Sequence, residues 1–81
     1  MNKDLAIGVL AYNEQKYLGN VLNDLVKLNK PIFIIDDYST DDTNKIIQNF
    51  AKNNNITQIN NKKNLGAGLS TKILIQKVQK E

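Results

Sequence analysis

Two carboxylates, Asp36 and Asp37, stand side by side at the end of the apolar run 32–35 (IFII). Adjacent carboxylates in such a place repel each other and lose hydration, so they need a cation, a ligand donor or free N–H groups nearby. Loop N–H groups would satisfy Asp36, and Asp37 could instead face water. Tyr12-Asn13-Glu14 follows another apolar run, 5–11 (LAIGVLA). The Tyr12 ring could stack a nucleobase, worth about 1–3 kcal/mol per base, or it could fill the sheet edge as a half-buried core residue. Glu14 could equally be a first-turn carboxylate favoured by a helix dipole. Asn64-Leu65-Gly66-Ala67-Gly68 forms a third polar cluster. Its glycines would let the backbone approach a ligand, and the helix start behind them would suit an anion. A plain loop is the alternative.

These clusters need elements to position them. The run 5–11 reads as a strand buried on both faces, as in a parallel sheet. Tyr17, Leu18, Val21, Leu22, Leu25 and Leu28 then recur at helical spacing, with polar residues opposite. Pro31 stops that helix, because the residue before a proline avoids helical geometry. The run 32–35 is a second buried strand, rich in β-branched residues. Ser39-Thr40-Asp41-Asp42-Thr43 is a dense helix-start signal, since its side chains can accept bonds from the first-turn N–H groups. Ile46, Ile47, Phe50 and Ala51 give the second helix its apolar face, and Asn53-Asn54-Asn55 ends it. Residues 56–59 form a short third strand, and 69–78 a third helix with Leu69, Ile73, Leu74 and Val78 on its apolar side. A β-α-β-α-β-α order favours a parallel sheet. Ligands of open α/β sheets bind beyond the carboxyl ends of the strands, and all three clusters fall there.

The chain has 81 residues, which fits a single domain. A domain of this size buries only roughly 60–65% of the surface its unfolded chain exposes, so its stability is expected to be marginal. It has no Cys and no His, which removes disulfides, the commonest general base and the commonest transition-metal ligand. The net charge is +3, with all eleven positive charges on Lys. Such a surface could attract phosphates or an anionic membrane, or could simply be solvated. The lack of Arg argues against a nucleic-acid reader, because bidentate contacts to phosphate and guanine favour Arg. No stretch reaches the ~20 apolar residues of a membrane span, and the first four residues carry no signal-peptide core. The expected location is the cytoplasm, with the membrane surface as a further place to which the Lys residues could bring it.

Three segments together resemble family 2 glycosyltransferases. IGVLAYNE resembles the family's opening strand, IIDDYSTDDT its second signature, and NLGAGLSTK its third. They occur in the family's order and spacing. The resemblance implies the Rossmann-like half of a GT-A fold, an α/β fold with three parallel strands ordered 3-2-1 and a helix after each. It implies a nucleoside-diphospho-sugar donor of the uridine or guanosine type. Tyr12 would pack on the base and Asp37 would accept its hydrogen bond, with Asn13 and Glu14 beside the nucleotide. Gly66 and Lys72 would lie where the third signature borders base and phosphates, although the family often has Arg where Lys72 stands. Asp36 completes the binding set, turned to local N–H groups while Asp37 turns to the ligand. On that division Asp37→Asn would weaken binding with little change in melting, and Asp36→Asn would show the reverse.

The chain departs from the family in two respects. It contains no Asp-x-Asp, the motif that holds a divalent metal against the diphosphate, and no candidate for the later catalytic base. It is therefore expected to be a truncated nucleotide-sugar-binding domain over residues 1–81, serving an inverting transfer to an unknown acceptor but inactive alone. No cofactor is expected to bind this chain by itself, with Mg or Mn needed only in a full-length enzyme. A second chain carrying the acceptor half, or self-association, is expected to cover the bare edge of strand 1. Two other readings remain: a non-catalytic binding or assembly module on the same half-fold, and a receiver-like signalling domain. Receivers place the acidic pair after the first strand, whereas here it follows the second.

Overall fold

The computed structural model describes residues 5–80; the N-terminal stretch tested for a signal peptide lies outside the described residues. The elements are β1 (Ile7–Ala11), α1 (Leu18–Leu25) running into a 3-10 turn (Val26–Leu28), β2 (Ile32–Asp36), α2 (Thr43–Ala51), β3 (Ile56–Asn60) and α3 (Ala67–Lys80). The three strands form one parallel sheet in the order β1-β2-β3, so β2 is central. Ile7 pairs with Ile32, and Ile32 with Ile56.

The pleat of β2 divides the core in two. Ile32 and Ile34 point to one face, where they pack with Ala11, Leu18, Leu22 and Ile47, so α1 and α2 cover that side. Phe33 and Ile35 point to the other, where Leu74 of α3 is the one other buried hydrophobic residue in their cluster among the described residues. All five residues of β2 are buried, as a strand covered on both faces requires. Gly8 has a structural reason to be glycine: a Cβ there would lie 3.2 Å from Leu74 Cδ2, so its absence lets α3 lie close on β1. The helix before β2 ends with Asn29 in the left-handed region (φ 56°), two residues ahead of Pro31.

Three sequence-based expectations change in detail. The first strand is shorter than 5–11 and is not buried on both faces: it is an edge strand whose Gly8 and Leu10 are exposed. Ile7 N–H donates to Pro31 and Ala11 O accepts from Asp37 N–H, so the odd residues of β1 bond to β2. In a parallel ladder the N–H and C=O of Gly8 and Leu10 then point away from the sheet. On α1, Leu18 and Leu22 are buried but Tyr17 and Val21 are exposed, because that flank of the apolar stripe overhangs the bare edge. On α3 the core side carries Ser70, Ile73, Leu74 and Val78, while Leu69 is exposed.

Candidate functional site

The loop after β1 is laced to the loop after β2 by hydrogen bonds between side chains and backbone. Asn13 N–H donates to Ser39 Oγ (2.9 Å), and Thr40 N–H returns a bond to Asn13 Oδ1 (2.8 Å). Glu14 N–H donates to Thr43 Oγ1 (2.8 Å), Gln15 N–H to Asp41 Oδ2 (3.3 Å), and Asp42 N–H to Gln15 Oε1 (2.9 Å). The start of α2 is also served here, with Asp41 Oδ1 accepting from Thr43 N–H (2.9 Å). Asn13 (φ 51°) and Tyr38 (φ 67°) hold left-handed backbone to make these turns. Asn tolerates that region, whereas Tyr38 is strained by a sum on the order of 1–3 kcal/mol, as is common beside binding sites.

Asp36 and Asp37 are both buried, and both are satisfied within the protein. Asp36 Oδ1 accepts from the amide and hydroxyl of Ser39, and Oδ2 from Asn44 Nδ2. Asp37 faces the third loop. Its Oδ1 accepts from Leu65 N–H (2.8 Å) and Asn61 Nδ2 (2.9 Å), and its Oδ2 from Gly66 N–H (2.9 Å). Gly66 can present that N–H because it sits at φ 86°, where only glycine is unstrained. Burial pushes the Asp37 carboxyl up, but the donors Leu65, Asn61, Gly66 and Ser70 outweigh it and hold it below the ordinary carboxylate range. Burial also raises Asp41, and the Thr43 hydroxyl and amide with Gln15 N–H bring it below its ordinary value.

These depressed values have a consequence for stability. A carboxyl whose pKa is lower folded than unfolded leaves the unfolded chain binding more protons in between, so stability rises with pH across that window. Melting temperature is therefore expected to hold above the unfolded carboxylate range, about pH 4, and to fall as pH drops below it. A melting curve unchanged between neutral pH and the acid range would contradict this.

The three loops meet at a cavity of about 240 Å³ lined by Leu10, Tyr12, Asp37, Asn64, Gly66 and Ala67. Tyr12, Asp37 and Gly66 thus converge at the carboxyl edge. Tyr12 is 44% exposed, with its ring available rather than committed to the core. The other candidates stand apart from this lining. Asn13 spends its side-chain oxygen on Thr40, Asp36 lies behind the second loop, and Glu14 lines a separate apolar groove with Val9, Tyr17 and Val21. Lys72 is exposed on α3, outside the lining. Among the described residues no group of three His, Cys, Asp or Glu lies close enough to hold a metal ion.

Gln15, Thr43, Asn61 and Ser70 carry much of this network, although none stands out from residue type alone. Register gives a signal for Asn61: Asp36 pairs with Asn60, so the next residue along β3 lies beside Asp37. Ser70 lies four residues before Leu74, a polar side chain on the buried stripe of α3.

A three-stranded parallel sheet with helices on both faces and a carboxyl-edge cavity is the Rossmann-like half of a GT-A fold. Residues 6–81 match the sequence pattern of Glycosyl transferase family 2, and the chain belongs to that family. It is 45% identical over 58 residues to the uncharacterized protein MJ0544 of Methanocaldococcus jannaschii, an alignment covering 69% of this chain and 25% of that one. The crystal structure of S. aureus TarS 1-349 superposes with a TM-score of 0.77 at 26% identity, covering 88% of this chain and 23% of that one. A second S. aureus TarS structure gives a TM-score of 0.78 at 24% identity over 89% of this chain and 14% of that one, a likeness of fold. The chain thus spans about a quarter or less of the length of these relatives. Family membership sets aside the receiver-like reading.

Proposed function

We propose that this chain binds the donor of a glycosyl transfer, a nucleoside-diphospho-sugar, at the cavity between Tyr12 and the loop 64–67. One observation carries the reading: Tyr12, Asp37 and Gly66, from three separate loops, line one cavity. The Tyr12 ring offers a stacking face for the base. Asp37, ionised and able only to accept, suits a base with a ring N–H, which uracil and guanine have. That N–H would share a carboxylate oxygen already met by a loop donor. The glycine-bearing loop lets the ribose or diphosphate come near backbone, while Lys72 contributes only a charge at longer range.

The transfer served on this reading is an inverting one, as the family resemblance implies, to an unidentified acceptor. Displacement at the anomeric carbon needs the leaving diphosphate neutralised and the acceptor hydroxyl deprotonated. Asp36 and Asp37 do not fit a metal-ligand role, since protein donors already occupy both. The 81-residue polypeptide is therefore expected to bind a uridine or guanosine diphosphate without transferring sugar, with or without Mg or Mn. Calorimetry with each diphosphate tests the binding, and Tyr12→Ala is expected to weaken it by about 5- to 150-fold through lost stacking. No heat with either diphosphate would sink the donor-site reading, and robust turnover would sink the claim of inactivity.

The open edge of β1 favours a second reading, a binding or assembly module on the same half-fold. Leu10, Tyr17 and Val21 are exposed beside that edge. Unpaired edges template association, so the chain is expected to self-associate or to take a partner chain there. Light scattering that shows a single monomer species at high concentration would argue against this. Cytoplasmic placement, with the net charge of +3 able to draw the chain to an anionic membrane surface, belongs to the same reading. No helix among the described residues is long and apolar enough to cross a membrane.

A further inference from the structure

Two side chains converge on Asp37: Asn61, which lies outside the three signatures, and Ser70, which lies within the third but is not among the residues the resemblance assigns a role. Asn61 directly follows β3, and its backbone N–H is bonded to Asp36 O (3.0 Å), which ties it to the end of β2. Its Nδ2 donates to Asp37 Oδ1 (2.9 Å) and to Ser70 Oγ (2.9 Å). The reverse amide orientation would set Oδ1 against a carboxylate, so the donor direction is fixed by charge. Ser70 is fully buried on α3. Its oxygen accepts from Asn61, and its hydroxyl, near Asp37, helps hold that carboxyl below its ordinary value. Ser70 N–H also donates to Gly66 O (3.0 Å), the residue whose own N–H meets Asp37. The end of β2, the end of β3, the loop and the first turns of α3 are thus joined through one carboxylate, with every donor aimed inward.

We propose that Asn61 and Ser70 are positioning residues of the donor site: they hold the Asp37 carboxylate against the Leu65 and Gly66 amides and so fix the cavity wall on which a nucleoside diphosphate rests. The proposal rests on the donor-site reading above. Neither residue needs to touch the ligand. Loss of either donor frees Asp37 to rotate and leaves the 64–67 loop without its anchor, so the wall moves although Tyr12 and Gly66 are unchanged. A buried Asn could instead be there only to fill space, and the two roles predict opposite orders of variants. If the amide serves as a donor, Asn61→Asp, nearly the same shape but acceptor-only and charged like its neighbour, is worse than Asn61→Ala. If it only fills space, the isosteric Asn61→Asp is the milder change.

The test uses Asn61→Ala, Asn61→Asp and Ser70→Ala, with two readouts. Amide hydrogen exchange at Leu65 and Gly66, measured without ligand and compared with β2 amides in the same sample, reports the loop. Calorimetry with uridine diphosphate reports the site. Native protein is expected to be best protected and tightest, Asn61→Ala and Ser70→Ala weaker by about tenfold in both readouts, and Asn61→Asp weaker still. The proposal is overturned if Asn61→Asp outperforms Asn61→Ala. It is also overturned if Ser70→Ala, the smallest change, leaves loop protection and affinity within about twofold of native, a span too small for a lost charge-assisted bond. Failure of the native chain to bind the diphosphate would sink the donor-site reading alone, and the exchange order would still decide whether Asn61 and Ser70 hold the loop.

Discussion

Asp37→Asn is expected to melt about 10–25 °C below the native chain, a drop that follows from a cost of about 2–4 kcal/mol in a domain of this size. The cost comes from geometry. Asp37 offers an oxygen to each of two backbone N–H groups, Leu65 and Gly66, and to Asn61 besides. An amide has one oxygen, so in either orientation its NH2 faces a donor that is buried and loses its partner. Asp36→Asn is expected to cost less. Two of its partners are the Ser39 hydroxyl and the Asn44 amide, side-chain groups that can turn to suit a new neighbour. The sequence-based division expects little change in melting for Asp37→Asn and more for Asp36→Asn; the donors that Asp37 meets in the third loop reverse that expected order. Thermal melts of the two variants decide it, and an Asp37→Asn curve within about 2 °C of native would refute the assignment, since even one lost kcal/mol moves a small domain by more. If it stays folded at low temperature, its diphosphate binding is expected to be lost as well, because the loop and the acceptor go together.

Leu74→Ala is expected to be about as damaging, at about 2–4 kcal/mol, the usual cost of removing a buried leucine side chain. Leu74 packs with Phe33 and Ile35, and only partly buried Ala6, Ile59, Ile73 and Val78 support them on that face. The other face, with six buried residues, is better supplied. Damage here is thus expected to be local first, with α3 opening while β2 and its α1 and α2 cover persist. Since α3 carries Ser70 and bonds Gly66 O, its loosening reaches the cavity from about a turn and more away. Hydrogen exchange is expected to speed up across α3 and at Gly66 before the β2 amides. Uniform acceleration of all amides would show instead that the domain opens only as a whole.

The sequence was most legible where periodicity was strong. Residues 32–35 read as a buried strand and are one, and the β-α-β-α-β-α order with its parallel sheet follows from the spacing of apolar runs. The convergence of Tyr12, Asp37 and Gly66 was legible because ligand-facing loops of such sheets follow strand ends. Burial of β1 was not legible. Its apolar run, read alone, fits a strand covered on both faces, whereas the 3-2-1 order implied by the family resemblance already puts that strand at the edge, where it lies. The polar lacing was also hidden, for a different reason. Gln15 and Asn61 act through partners 27 and 24 positions distant in the chain, and polar residues at loop positions look alike until the register is known.

The strand order carries a consequence for how the chain comes together. Each strand pairs with its neighbour in sequence, and Ile7↔Ile32 and Ile32↔Ile56 lie 25 (32 − 7) and 24 (56 − 32) residues apart. Closing a loop of either length costs nearly the same entropy, because that cost grows only with the logarithm of length. Neither crossover is therefore favoured by proximity, and neither hairpin-like shortcut exists in a parallel sheet. Both closures require β2, so the search for the native state is a search for partners by one strand. Such non-local pairing places refolding toward the slower, millisecond-to-second end for small domains. Changes in the 32–35 run are expected to slow it more than equal losses of stability in α3.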